Sequence, residues 1–233
     1  MKIKKMHATV SAITDLSKSA RDYTLTLPEN LDFIAGQFVN IFMDINGKKV
    51  RRAYSISSSD SIQNSITVSI RHSPDGIMTP VMWSRDMTGE TVELIGPLGF
   101  NTGDKMHTKE TYLFGYGVGA GVVKSILDHV LEEGCATTIV VVTGSRSEDE
   151  ILHKAYFDHV AETHPQVEIR YAISQPEVHT GLRKGYIQDN IEGIDFSDSD
   201  VYACGQEKAC NSLVEKIKTQ NPTNCNYFIE AFH

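Results

Sequence analysis

The stretch TYLFGYGVGAGVVKSILDHVLEEG, Thr111 to Gly134, decides how the chain folds. It opens as a strand, breaks into glycines at every second position (Gly115, Gly117, Gly119, Gly121), and continues as a helical pattern. A glycine-rich turn between a strand and a helix lets backbone N–H groups approach a phosphate, and the helix N-terminus adds partial positive charge. The strand before and the helix after supply the context that a bare Gly-x-Gly lacks, so nucleotide binding is preferred over a plain tight turn. A dinucleotide site of this kind also calls for an acidic residue about 20 positions on, for the ribose 2′-hydroxyl. The end of the next strand reads TGSRSEDE instead, with Ser145 and Arg146 ahead of Glu148. A hydroxyl and a guanidinium suit a 2′-phosphate, which leans towards NADPH over NADH; a solvated loop after a strand reads the same way.

Outward from this stretch, strand and helix keep alternating. TTIVVVTG, VEIRYAIS, DVYACG and NYFIEAF are strands, with helical patterns such as EKACNSLVEKIKTQ between them. That rhythm predicts a parallel sheet with flanking helices. Upstream the rhythm differs. HATVSAI, DYTLTL, QFVNIFMDI, KVRRAYSI, SITVSIRH and TVELIGPL are short strands bounded by Gly, Pro, Asn, Asp or Ser. Six strands and one short helix predict a small antiparallel β-barrel. The composition shift across NTGDKMHTKE puts the boundary between a barrel domain, residues 1–104, and an α/β domain, residues 105–233.

Bulk properties narrow the function. The net charge of −8 makes nucleic acid an unfavourable partner. No apolar run approaches the ~18 residues that a membrane span needs, and no apolar stretch follows the basic MKIKKMHATVSA, so a cytoplasmic protein is expected. Cys135, Cys204, Cys210 and Cys225 form no Cys-x-x-Cys and match no common ferredoxin spacing, and the histidines form no HExxH, so no metal site is expected.

In KKVRRAYSISSS, Lys48 to Ser59, Arg52 and Tyr54 stand two apart on a strand and share one face. A fixed cation beside a flat ring suits a ligand carrying phosphate and a planar heterocycle. In SPDGIMTPVMW, Gly76 allows a turn, Thr79 is a good N-cap and Pro80 suits the first helical position. The N–H groups near Ile77, Met78 and Thr79 form a second anion site.

Taken in order, Arg-x-Tyr-Ser (Arg52, Ala53, Tyr54, Ser55), Gly-x-x-Thr (Gly76 to Thr79), Gly-Pro-x-Gly (Gly96, Pro97, Gly99), the loop at Gly117 and Gly119, and Cys204-Gly205 resemble the ferredoxin–NADP reductase superfamily over almost the whole chain. The resemblance implies a flavoprotein oxidoreductase. It passes a hydride from NAD(P)H to bound FAD and electrons onward to a protein acceptor such as ferredoxin or an oxygenase component. The alternatives are an NAD(P)H:free-flavin reductase and a non-catalytic flavin- or nucleotide-binding subunit. FAD is preferred over FMN because two anion sites suit a pyrophosphate. By the same resemblance Arg52 binds the flavin phosphate, Tyr54 packs on the isoalloxazine or ribityl chain, and Ser55 sits near flavin N5. Gly76, Ile77, Met78 and Thr79 hold the pyrophosphate. Cys204 and Gly205 lie near the nicotinamide, and Glu230 and Phe232 of the tail approach the flavin. Ser55, Cys204 and Glu230 are the expected catalytic residues. RKGYIQDNI, Arg183 to Ile191, is taken as structural. Val122 and Gln206 stand where many members carry proline.

Overall fold

A computed structural model describes residues 2–106, 109–176 and 182–232. The first sheet comprises β1 (Lys4–Asp15), β2 (Ala20–Thr26), β3 (Phe38–Ile45), β4 (Lys48–Ser55), β5 (Ser65–Arg71) and β6 (Thr91–Leu98). Its order is β4-β3-β6-β1-β2-β5, antiparallel throughout. Alternating side chains fill the interior, as along β1, where Met6, Ala8 and Val10 are buried between exposed neighbours. The β3–β4 hairpin turns at Asn46 and Gly47, both at positive φ (54° and 73°), as a two-residue turn matched to strand twist requires. The edges β4 and β5 meet where Ile56 bridges Val68, which brings the sheet close to closure as a barrel.

A five-residue helix, α1 (Thr79–Trp83), lies between β5 and β6. Its start differs from the expectation. Met78 is the cap residue, in helical geometry, and Thr79 is already inside the helix. The Thr79 hydroxyl donates to the Ser73 carbonyl at 2.9 Å and accepts from the Ser73 N–H at 3.0 Å. It ties off the preceding loop, which competes with capping for the same oxygen.

The second sheet comprises β7 (Glu110–Tyr116), β8 (Ile139–Ser145), β9 (Val167–Ile173), the two-residue β10 (Arg183–Lys184), β11 (Ser199–Gln206) and β12 (Asn226–Phe232). All its pairings are parallel, in the order β10-β9-β8-β7-β11-β12. Helices α2 (Gly119–Glu132), α3 (Lys154–Thr163) and α4 (Glu207–Lys218) cover it. β7 and β8 are nearly continuous apolar runs, as strands covered on both faces require. Strand order reverses between β7 and β11, and the crevice beyond the C-terminal ends of such a pair is where open α/β sheets bind ligands. The core under α2 also takes in Ala20 and Ala35 of the barrel, so the two units share apolar packing. Among the described residues no helix is long and apolar enough to cross a membrane, no cluster could hold a metal ion, and the four cysteines are free.

Candidate active site

One cleft of about 1470 Å³ opens between the two sheets, at the β7/β11 reversal. That exceeds the volume of an ordinary small-molecule pocket and leaves room for dinucleotide-sized ligands.

The barrel wall carries Arg52, Ala53, Tyr54 and Ser55. β4 is an edge strand, so its end is open to the cleft. Arg52 is exposed, and its Nη1 donates to the Arg51 carbonyl at 2.7 Å, leaving its other donors available to a ligand. Tyr54 is half-buried against Met78, its hydroxyl 3.5 Å from the sulfur. Burial pushes its phenol up to about 12, so it stays neutral. Ser55 is the last residue of β4 and is buried, which releases it from the alternation that would turn it away. Next to Arg52 and Tyr54 in the wall lie Gly76, Ile77, Met78 and Thr79. The N–H groups of Ile77, Met78 and Thr79 have no backbone acceptor among the described residues. Gly76 is there for space: a Cβ would stand 3.1 Å from the Ser73 carbonyl oxygen.

The opposite wall begins at Tyr116, Gly117 and Val118. Gly117 has φ +55°, and a Cβ on it would sit 3.2 Å from Nη1 of Arg71. Thus Arg71, at the end of β5, crosses from the barrel to the glycine loop. Gly119 serves another purpose than expected. Its missing Cβ lets the first turn of α2 settle on the Cys204 carbonyl, and the residue does not line the cleft. Ser145 and Arg146 line the cleft further along, beside Gly185, Tyr186, Ile187 and Gln188. Tyr186 is 61% exposed and presents a free aromatic face there. Gly144 makes room for Ile187, whose Cγ1 would lie 2.8 Å from an added Cβ.

Cys204, expected near the nicotinamide, ends deep in the fold. It is fully buried in β11, and neither it nor Gly205 lines the cleft, whereas Gln206 of the same strand does. Burial, then the charge of Glu230, pushes the thiol far up. Such a thiol stays protonated. Gly205, at φ +150°, presses against the Tyr116 ring. The tail does reach the cleft: Glu230, Ala231 and Phe232 line it from β12. Burial raises the Glu230 carboxyl to about 7, while its hydrogen bond with Ser55 pulls the other way. A carboxyl of raised proton affinity and a hydroxyl from opposite domains therefore meet in the cleft.

Arg71, Tyr116, Tyr186, Gln188 and Lys208 line the cleft without having been singled out from the sequence. Arg71 had a signal, a fixed cation at a strand end just before the SPDG turn, as at Arg52. Tyr186 lay in the segment taken as structural, and that segment forms cleft wall.

Cations and unpartnered amides on the barrel wall and a glycine loop on the other leave places for two nucleotide-type ligands. Known proteins agree. Residues 7–102 match the oxidoreductase FAD-binding domain and residues 113–215 the oxidoreductase NAD-binding domain. The chain belongs to the ferredoxin–NADP reductase superfamily. It is 27% identical over 211 residues to the phenol hydroxylase P5 protein of Acinetobacter pittii, covering 89% of this chain and 57% of that protein. It is 24% identical over 229 residues to the toluate 1,2-dioxygenase electron transfer component of Pseudomonas putida, covering 97% and 67%. RfbI of Salmonella typhimurium is 25% identical, and the chain spans 60% of its length. The fold is shared with the Amycolatopsis cytochrome P450 reductase (TM-score 0.91, 23% identity, 99% of this chain and 70% of that one). It is also shared with a ferredoxin NADP+ reductase from Neisseria gonorrhoeae (TM-score 0.82, 15% identity, 99% of each chain).

Proposed function

We propose that the chain is a reductase that draws electrons from NAD(P)H through FAD and delivers them to a protein acceptor of the ferredoxin or oxygenase-component type. One observation carries this reading. Arg52 and Tyr54 project from β4 into the same cleft that receives the Gly117 loop. Relatives named as an electron transfer component of a dioxygenase and as a hydroxylase component support the acceptor class.

The residues fit the group. Arg52 and the free amides of Ile77, Met78 and Thr79 neutralise a flavin pyrophosphate, and Tyr54 offers a neutral flat ring beside it. Two separate donors of this kind favour FAD over FMN. Bound FAD supplies the hydride-accepting ring and the ability to release electrons singly; the chain supplies distance, orientation and proton control. Ser55 and Glu230 hold a proton at the flavin end of the cleft. Arg71, reaching across from the barrel, and the Gly117 turn bind the nicotinamide nucleotide's pyrophosphate, charge-assisted and therefore stronger than neutral contacts. Ser145 and Arg146 receive the adenosine end with Tyr186 stacking nearby, which leans towards NADPH over NADH. Cys204 acts from behind, supporting the floor under α2. We assign residues 1–104 to FAD binding and 105–233 to NAD(P) binding. Free cysteines fit a reducing cytoplasm.

An absorption spectrum of the purified protein, with and without added FAD, followed by anaerobic titration with NADPH and NADH, tests the reading. Flavin absorbance that bleaches with either nucleotide is expected. A chain that takes up no flavin, or a bound flavin that neither nucleotide bleaches, refutes it.

A further inference from the structure

The barrel and the α/β domain meet along one face of α2, which runs from the edge of the cleft, at Ser57 and Ser69, away from it. At Gly121 a Cβ would overlap Ser57 and Ser69 of the barrel. One turn on, the Ser125 hydroxyl donates to the Ser58 carbonyl at 2.7 Å. A further turn on, Nδ1 of His129 lies 2.8 Å from Oδ2 of Asp60, which also accepts the Ala35 N–H at 3.0 Å. Glu132 closes the row, accepting from the hydroxyls of Ser59 and Ser61 at 3.0 and 3.2 Å. Residues 121, 125, 129 and 132 recur at helical spacing, so the polar stripe runs the length of α2.

His129 and Asp60 are the charged pair in that stripe, with side chains only 13% and 11% exposed. The other ring nitrogen, Nε2, is buried with no partner among the described residues. Gly103 leaves the room this ring occupies: a Cβ there would be 2.7 Å from Cδ2. Loss of Asp60 would leave both ring nitrogens buried and unsatisfied, which is costlier than losing one exposed ion pair.

We propose that His129 and Asp60 form a latch that fixes the tilt of α2 on the barrel, so that the far end of the helix sets the spacing between the two nucleotide-binding walls. α2 spans about 20 Å from this pair to the Gly117 turn, and a pin at one end governs the position of the other. His129 is thus a positioning residue. The inference rests on the reductase reading, in which that spacing is the hydride-transfer distance. An error of about 1 Å in such a distance costs up to ~100-fold in rate.

The latch depends on protonation. Asp60, by hydrogen bond and charge, raises the His129 pKa against desolvation, with Glu133 just past the helix end and Asp104 in the adjoining turn adding to the rise. For Asp60, desolvation raises the pKa, but the His129 and Ala35 hydrogen bonds outweigh it and the net direction is down. The histidine contribution is therefore full below its ordinary 6.5 and disappears as pH rises through its folded value. The aspartate contribution is lost as pH falls through its lowered value.

The test is rapid-mixing anaerobic reduction of the FAD-loaded protein by NADPH or NADH, across about pH 6 to about pH 9, in wild type, His129→Gln and Asp60→Asn. Both variants are expected to retain FAD, to reduce it about tenfold more slowly at neutral pH with nucleotide KM within about twofold, and to lose the alkaline fall in rate seen in wild type. Titration of Glu230, at about 7, persists in all three, so only the part of the alkaline fall that both variants lack reports the latch. Wild-type rates and profiles in the variants overturn the latch. Hydrogen exchange of the wild type gives a second reading without mutation. Protection of residues 57–61 and 119–132 must fall together as pH rises, and flat protection overturns the latch even if the variants fail to fold. If neither nucleotide reduces the wild type, the reductase reading fails while hydrogen exchange still judges the latch.

Discussion

Glu230→Gln should make the protein more stable above neutral pH, and the size of the gain follows from the cleft. Burial moves the Glu230 carboxyl from an ordinary 4.5 to about 7, even with Ser55 hydrogen-bonded to it. Each tenfold change in proton affinity is worth about 1.4 kcal/mol, so forcing the charge into the folded cleft costs about 3 kcal/mol. The sign follows from proton counts. Between 4.5 and about 7 the unfolded chain has released this proton and the folded chain has kept it. Stability therefore falls as pH rises through that window and levels off above it. Glutamine keeps the shape and a hydrogen-bonding partner for Ser55 without the charge. Urea denaturation followed by circular dichroism from about pH 5 to about pH 8 reads the effect. The wild type should lose up to about 3 kcal/mol more than the variant across that range. Parallel curves for the two proteins would show that Glu230 ionises freely, and would remove the proton-holding role assigned to it with Ser55.

Arg52→Ala should weaken FAD retention by about tenfold or more, whereas Lys49→Ala, whose ammonium is engaged with Glu93 at 2.7 Å, should leave it unchanged; equal retention in both refutes the phosphate role of Arg52. Arg71→Ala should raise the nucleotide KM about tenfold with FAD retention intact, a loss of about 1.4 kcal/mol; steady-state kinetics beside a flavin-release assay separates the two sites. Gly119→Ala should destabilise by about 1–3 kcal/mol, because its methyl group would strike the Cys204 carbonyl; an unchanged melting temperature would contradict the packing described for α2.

The order of elements was legible before any coordinates, since alternation along strands and the change to strand–helix rhythm after residue 110 depend only on near neighbours. The same holds for Arg52 and Tyr54, which share a face because strand periodicity is two. Local rules failed where a residue's role depends on distant chain. Thr79 looked like a cap, yet its hydroxyl is taken by Ser73. How deeply Cys204 is buried was not legible either, because it depends on α2 and β12 packing around its strand. Tyr186 looked like scaffolding, yet its segment crosses beside Ser145 and Arg146 to form cleft wall.

By itself the sequence determined two units, a barrel and a parallel α/β sheet, and the places where each offers cations and glycines to a nucleotide. Those properties come from periodicity and from backbone freedom, which act over a few residues. Only the tertiary structure decided that Arg71 crosses to the Gly117 turn, that Ser55 meets Glu230, and that His129 is locked to Asp60. Each of these joins one unit to the other, and proximity, burial and the resulting pKa values exist only once the two have packed together.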